Sequence, residues 1–247
     1  MTTNVSTEKN SFAQVMGKIW KAIRQIPPVY PIFIILFIVV SFLSPTYSSM
    51  NGIMAFLRRT APLGILAIGE MIVLATGGYD LSIGSVVTLV CLVSSLLLAN
   101  DPANTYPTIA LMLLLGAGIG LVNGVVVSFL KVPSFIATLG MMLVVRGAAL
   151  YWVGGAPKGY FTDNFRMWGR DYIENVPIFG RFPIGLIVLI VAGFLTWYLF
   201  HKTNFGKQIL AIGDNVNAAK LSGVKVRLVR TLAFVLSSVL AVMVASM

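Results

Sequence analysis

The chain has 247 residues, of which 57% are hydrophobic and only 11% are charged, and its mean hydropathy is +0.90. Because soluble domains carry about a quarter charged residues, this composition excludes a soluble globular protein and predicts an all-α integral membrane protein. The net charge is +10, but no basic run is interleaved with aromatic residues, so the excess cations indicate basic cytoplasmic loops and not a nucleic-acid surface.

Residues 1–27 predict a cytoplasmic N-terminal segment. Within residues 11–26, six apolar side chains share one helical stripe, and Lys18, Lys21 and Arg24 lie off it. This pattern favours an amphipathic helix on the anionic cytoplasmic leaflet. A solvated leader is the alternative that such a short periodic pattern leaves open. No small-residue cleavage site follows the first apolar run, so the segment does not resemble a cleavable signal.

Residues 28–247 predict a polytopic bundle of transmembrane helices. A span needs about 20 mostly apolar residues. Seven stretches are candidates: 28–45, 61–78, 81–99, 106–130, 134–153, 183–200 and 231–247. With the N-terminus in the cytoplasm, more lysines and arginines fall on the cytoplasmic side than outside, which favours that orientation. An outer loop, 154–182, and a cytoplasmic loop, 201–230, then follow.

The sequence GGYDLSIGS at residues 77–85 lies between the second and third candidate spans and predicts a broken helix. Lipid offers no hydrogen bonds, so freed backbone groups must find partners in protein or in cavity water. Gly77 and Gly78 permit unusual dihedral angles, and Asp80 and Ser82 can supply hydrogen-bond partners. Three roles stay open for Asp80: a cap on the following helix, a contact with a permeating solute, or a proton relay.

Glu70 and Asn123 are further polar residues within apolar stretches. An ionised carboxylate in hydrocarbon is costly unless it is paired, hydrated or protonated, so Glu70 is expected to face a cavity or another helix. Small residues at close spacing from Gly116 to Gly124 favour tight helix packing, with Asn123 bonding across the contact. The predicted helix break and translocation pathway consists of Glu70, Gly77, Gly78, Asp80, Ser82 and Asn123.

Enzyme and cofactor motifs are missing from the sequence. It contains no P-loop, no G-x-S-x-G and no H-E-x-x-H motif. Its single cysteine, Cys91, and single histidine, His201, exclude an intrachain disulfide and a metal site rich in these residues. The sequence therefore predicts a transport protein, not an enzyme, with no catalytic, cofactor or metal-binding residues of its own.

Three stretches resemble the permease subunits of sugar-type ABC importers, the ribose, xylose, galactose and autoinducer-2 group. GGYDLSIGS is similar to the family's first signature, VPSFIATLG at 132–140 to its second, and NFGKQILAIGDNVNAAKLSGV at 204–224 to its cytoplasmic coupling segment. The three occur in the family's order. Tyr79 and Asn217 depart from the family pattern, in which a branched aliphatic residue and a glutamate are usual. The family has more spans than seven, so the resemblance implies a permease domain that is incomplete at its C-terminal end.

The resemblance implies an importer subunit in the bacterial cytoplasmic (inner) membrane, translocating a monosaccharide or a similar small polar solute. Such a permease pairs with a second permease subunit, identical or paralogous. A cytoplasmic ATP-binding subunit hydrolyses ATP, and an extracytoplasmic solute-binding protein delivers the solute.

The resemblance also assigns two docking surfaces. The cytoplasmic loop would meet the ATPase through Gly206, Gly213, Asn215, Asn217, Ala218, Ala219, Leu221 and Gly223. The outer loop would meet the binding protein through Arg166, Trp168 and Arg170. An interfacial loop anchored by aromatic residues is the alternative for the outer loop, since such residues collect at membrane interfaces.

A stand-alone, ion-coupled secondary transporter with Glu70 and Asp80 as coupling acids is the rival hypothesis. The 201–230 loop discriminates between the two, because an ABC importer needs a docking helix there and a stand-alone transporter does not.

Overall fold

The computed structural model describes residues 27–155, 158–177 and 179–247. The amphipathic helix predicted for residues 11–26 lies outside the described residues, so it stays a prediction.

The contacts divide the chain into two units, Met1–Ile53 and Met54–Met247. The first holds helices α1 (Val29–Leu43) and α2 (Pro45–Ser48) and the first residues of α3 (Met50–Leu74). None of the residues of α1 is buried. A helix that is apolar on all sides suits a membrane span or the interior of a larger assembly.

The second unit contains the rest of α3 and the elements that follow it. In chain order these are α4 (Ile83–Leu98), a 3-10 turn (Pro102–Asn104), α5 (Thr105–Ser128), α6 (Ser134–Val153), α7 (Asp163–Arg170), β1 (Tyr172–Val176), β2 (Gly180–Pro183), α8 (Ile184–Lys202), α9 (Asn204–Asp214), α10 (Val216–Leu221) and α11 (Val226–Ala245). The two strands pair antiparallel as a hairpin, which the sequence analysis did not predict.

Four segments within the described ranges are long and apolar enough to span a membrane: Pro102–Ser128, Ser134–Val153, Ile184–Lys202 and Val226–Ala245. Helices α1 and α4 are apolar but shorter. Helix α3 carries Arg58, Arg59 and Glu70. The predicted helical membrane protein is therefore confirmed, whereas the count of seven spans is not.

Helix α11 packs closely along α5, and glycines make the approach possible. A Cβ on Gly116, Gly120 or Gly124 would lie 2.3, 2.6 or 2.6 Å from the nearest atom of α11. Gly116 meets Val242 and Gly124 meets Thr231, so the two helices are antiparallel. The tight packing predicted from these small residues is therefore present, and any larger side chain would force the helices apart.

Helix α3 also runs antiparallel to α11. A Cβ on Gly69 would lie 3.4 Å from Cα of Ser237. Beyond the end of α3, the carbonyl oxygen of Thr76 accepts a hydrogen bond from Nη2 of Arg230 at 3.0 Å. Residues later in α3 and just beyond its end thus contact earlier residues of α11.

Helix α4 follows α11 in the same direction. Ser237 donates to Asp80, just before α4, and Cys91 within α4 contacts the carbonyl oxygen of Ala245. Since α3 and α4 run in opposite directions, residues 75–82 reverse the chain between two helices. The predicted interruption of a single helix is therefore not confirmed.

The reversal lies at one end of the helices of the second unit, which we call the turn end. The same end contains residues 129–133, between α5 and α6, and residues 203–225, between α8 and α11. The opposite end contains residues 99–104 and the β hairpin. One apolar cluster lies between the ends and joins α4, α5, α6 and α11. A second joins α3, α9, α10 and α11 near the turn end.

Candidate functional site

The turn of residues 75–82 brings four of the six predicted pathway residues into one hydrogen-bonded group. Oε1 of Glu70 accepts from the backbone N–H of Asp80 at 3.1 Å. The backbone N–H and hydroxyl of Ser82 both donate to Oδ1 of Asp80. Nδ2 of Asn123, on α5, donates to Oγ of Ser82 at 2.8 Å. The turn is thereby joined to α3 on one side and to α5 on the other.

All backbone N–H groups of this turn have acceptors. Those of residues 75–78 donate to carbonyl oxygens in the last turn of α3. The next four donate to side chains: Tyr79 to Ser134, Asp80 to Glu70, Leu81 to Thr138 and Ser82 to Asp80, at 3.0–3.2 Å. Complete pairing is what a non-helical segment among apolar helices requires, because each unpaired group there is costly.

Asp80 is 1% exposed, and both of its carboxylate oxygens accept hydrogen bonds. Oδ1 accepts from Ser82, and Oδ2 accepts from the hydroxyl of Ser237 on α11 at 3.2 Å. Ser82, not Asp80, occupies the N-cap position of α4. Asp80 thus does not occupy the cap position, which is one of the three roles left open for it, and it joins the turn to α11. Both oxygens of this buried carboxylate are therefore hydrogen-bonded, as buried polar groups in proteins usually are.

The two glycines of the turn have different roles. Gly77 has φ +77°, in the left-handed region that glycine adopts without steric cost. Gly78 packs against Val73, whose Cγ1 would lie 3.3 Å from an added Cβ. The unusual dihedral predicted for this pair is thus present at Gly77.

Four residues of this group were not predicted as site residues: Ser134, Thr138, Arg230 and Ser237. Ser134 and Thr138 are one helical turn apart in VPSFIATLG, so both lie on the face of α6 that meets the turn. That i, i+4 pair of hydroxyls was the signal available in the sequence. Ser237 lies in an apolar run next to Ser238, so nothing in the sequence distinguished it. Arg230 was one of several basic residues in the predicted cytoplasmic loop.

The predicted coupling residues divide into an inward set and an outward set. Gly206 and Ala219 are buried, whereas Gly213 is exposed and contacts the turn. A Cβ on Gly213 would lie 2.3 Å from the carbonyl oxygen of Ala75, so α9 touches the start of the turn. A Cβ on Gly206 would lie 2.1 Å from a carbonyl oxygen of α8. Small residues at these positions allow backbones to pack directly against each other.

Helix α10 presents the outward set. Oδ1 of Asn215 accepts from the backbone N–H groups of Asn217 and Ala218, both at 3.0 Å, and so caps the helix. Asn217 and Ala218 are exposed, and Leu221 is 91% exposed. Gly223, with φ +81°, follows the end of the helix.

The residues predicted to dock a binding protein lie on α7, at the end opposite the turn. Arg166 and Trp168 are exposed there. Arg170 forms an ion pair with Asp163 at 2.5 Å, and its carbonyl oxygen accepts from Nη1 of Arg58 at 3.1 Å. Arg170 therefore has partners within the chain, and Arg166 and Trp168 are the two of this set most available to a partner protein.

Comparison with known proteins relates this chain to membrane permeases. Residues 52–247 match a family model described as branched-chain amino acid transport system / permease component. The ribose import permease protein RbsC of Escherichia coli strain K12 is 33% identical over 216 residues, covering 84% of this chain and 64% of that protein. No solved structure matches the chain significantly.

Two further relatives are similar at the same level. The galactose/methyl galactoside import permease protein MglC of Escherichia coli strain K12 is 36% identical over 228 residues, covering 85% of this chain and 66% of that protein. RbsC of Bacillus subtilis strain 168 is 35% identical over 210 residues, covering 83% of this chain and 62% of that protein. The chain thus spans less than two thirds of the length of each relative.

Proposed function

Because the chain belongs to the family of branched-chain amino acid transport system permease components, we propose that it is the permease subunit of an ATP-driven importer for a monosaccharide or a similar small polar solute. The relatives named as ribose and galactose import permeases support a sugar over an amino acid. The family and the apolar helices also support a multi-pass protein of the bacterial inner membrane.

The single observation that carries this proposal is the exposure of α10. The helix is anchored by buried Ala219 and presents Ala218 and Leu221 outward. An exposed leucine on a short capped helix suits insertion into a partner's groove, where full burial of such a side chain contributes about 1.5–3 kcal/mol. The proposed partner is a cytoplasmic ATP-binding subunit, so the turn end would face the cytoplasm. The excess of basic residues in the predicted cytoplasmic loops separately favours a cytoplasmic N-terminus.

The contacts around α10 suggest how ATP hydrolysis reaches the membrane helices. Because Gly213 contacts the carbonyl of Ala75, a displacement of α9 and α10 would also move the turn. The turn is bonded to α3, α5, α6 and α11, so it would move these helices together. In the complete importer, a second permease subunit would face this one across the passage. A solute-binding protein would dock near Arg166 and Trp168.

The first prediction concerns Ala218→Trp, which places a bulky side chain on the outward face of α10. We expect co-purification of a P-loop ATPase to fall about tenfold or more, since one central interface residue commonly contributes that much affinity. The protein would be tagged at its N-terminus, expressed from its native locus and pulled down in mild detergent. Quantitative mass spectrometry would then measure the ATPase.

Asn164→Trp is the matched control, because Asn164 is also an exposed helical residue but lies on α7 at the opposite end. It should leave ATPase recovery unchanged, and the melting temperatures of both variants should match that of the native protein. Equal ATPase recovery with Ala218→Trp and with native protein would reject α10 as the docking helix. A native protein that recovers no ATPase would reject the importer.

A second candidate function, the stand-alone ion-coupled transporter, is favoured by one observation. Oε2 of Glu70 is buried and has no hydrogen-bond partner among the described residues. A coupling carboxyl would have such an oxygen free to take up a proton. In the importer, Glu70 holds the turn through Oε1 alone.

Glu70→Gln separates the two functions, because a glutamine oxygen still accepts the N–H of Asp80 but the side chain cannot carry a proton. For the importer we expect uptake of labelled pentoses and hexoses to stay within about threefold of native, because the hydrogen bond that holds the turn is kept. Uptake should follow ATP and persist when an uncoupler collapses the proton gradient. Gradient-driven uptake that Glu70→Gln abolishes would establish the transporter instead.

A further inference from the structure

A cavity of about 540 Å³ opens at the turn end, between the 75–82 turn, the α5–α6 connection, α10 and α11. Four cationic side chains line it: Lys131, Lys220, Arg227 and Arg230. None of the described lining residues is acidic. Like charges around one space repel each other, so an anion bound between them is favourable.

Two buried polar atoms in the wall of this cavity lack partners. Nε of Arg230 and Oγ of Ser128 have no hydrogen-bond partner within the described part of the chain. The guanidinium of Arg230 is held at the wall, because its Nη2 donates to the carbonyl of Thr76. Buried donors without acceptors are destabilising, and a ligand with several oxygens would satisfy both.

We propose that this cavity binds the phosphate group of an anionic ligand. Phosphate oxygens match the planar fork of an arginine and the point charge of a lysine, and a serine hydroxyl donates to the same group. The cavity is larger than a phosphate ion and has apolar walls at Val127, Val132 and Phe234. A phosphate attached to a carbon skeleton, such as a phospholipid headgroup or a phosphorylated compound of the cytoplasm, fits both features.

Binding would stabilise one arrangement of the turn end. The lining residues belong to four elements: Gly77 to the turn, Ser128 to α5, Lys220 to α10 and Arg227 to α11. A phosphate bonded to several of them would hold α10 against α11 and the turn. Basic pockets between membrane helices on the cytoplasmic side bind anionic headgroups in this way.

The test compares two double variants with the same change of charge at the same end. Lys131→Gln with Lys220→Gln removes two cations from the cavity, whereas Lys207→Gln with Lys225→Gln removes two exposed cations that do not line it. Arg230 is left intact because it also bonds the turn. The cations could instead serve only to orient the protein in the membrane, as basic residues of cytoplasmic loops do. In that case the two double variants would bind the ligand equally well.

The full native chain would be purified in detergent, stripped of lipid and returned to nanodiscs of phosphatidylglycerol or phosphatidylcholine. We expect phosphatidylglycerol, and not phosphatidylcholine, to raise the melting temperature and to be retained in native mass spectra. Retention should fall roughly fivefold for each cavity lysine removed, about 25-fold in the cavity variant. The control variant should retain the lipid as native protein does.

Inorganic phosphate in detergent is the second probe. Stabilisation by phosphate that the cavity variant loses, without a preference for phosphatidylglycerol, would support the site and assign it to a soluble phosphorylated compound. No response to either probe, or an equal loss of stabilisation and lipid retention in both double variants, would overturn the proposal. Neither readout involves the ATPase, so failure here is distinguishable from failure of the importer proposal.

Discussion

Gly120→Leu should prevent the second unit from assembling. An added Cβ would lie 2.6 Å from the carbonyl oxygen of Phe234 and 2.7 Å from Cα of Val235. Both are backbone atoms of α11, so they cannot swing aside as a flexible side chain would. A single excess methyl group in a packed core costs about 1–3 kcal/mol, and leucine adds three more carbons in the same direction. Folded protein should therefore be lost.

Gly118→Leu provides the matched control for this prediction. Gly118 lies on the same helix, and an added Cβ would meet no described heavy atom within 4 Å. Both substitutions raise helix propensity equally, by about 1 kcal/mol relative to glycine, so only the contact with α11 differs. The yield of monodisperse protein by gel filtration and the melting temperature are the measurements. Similar yields for Gly120→Leu and Gly118→Leu would contradict the observed packing.

Asp80→Ala should destabilise the turn strongly. It leaves the N–H and hydroxyl of Ser82 and the hydroxyl of Ser237 without their acceptor. Each buried polar group left unpaired costs about 1–3 kcal/mol, so the total loss should be about 3 kcal/mol or more. Asp80→Asn should cost much less, because an amide oxygen still accepts from Ser82 and the amide nitrogen can donate to Ser237.

A double-mutant cycle with Ser237→Ala identifies the interaction across the helices. Ser237→Ala alone should cost about 1 kcal/mol, and the loss should be smaller when Asp80 is already alanine. Thermal unfolding in detergent measures each step. If Asp80→Ala melts like the native protein, the carboxylate does not hold the turn. If Asp80→Asn keeps its stability but changes solute preference, Asp80 contacts the solute.

Several features followed from local sequence alone. The low charge and high hydropathy predicted helices in lipid, because only hydrogen-bonded helices or closed barrels can cross a bilayer. The spacing of Gly116, Gly120 and Gly124 predicted a close helix contact. The glycine pair beside Asp80 predicted a non-helical segment there. Composition is counted over the chain and each glycine spacing covers only a few positions, so all three are visible without knowledge of the fold.

Other features required the tertiary structure. Asp80 bonds to Ser237, which is 157 residues away, and Leu81 bonds to Thr138, 57 residues away. Nothing in the local pattern identifies such partners, because helix packing determines them. The short hairpin of residues 172–183 was also missed, since its pairing depends on cross-strand contacts and not on a long apolar alternation.

Composition and the spacing of nearby residues suffice to predict apolar helices joined by a glycine- and aspartate-containing segment, because both act through local hydrogen bonding and burial. The reversal of the chain at this segment, and the bond from Asp80 to α11, follow from helix packing. Helix packing also brought four cations from three separate segments around one cavity: Lys131, Lys220, Arg227 and Arg230. These outcomes depend on which helices pack together, and packing is a property of the whole chain.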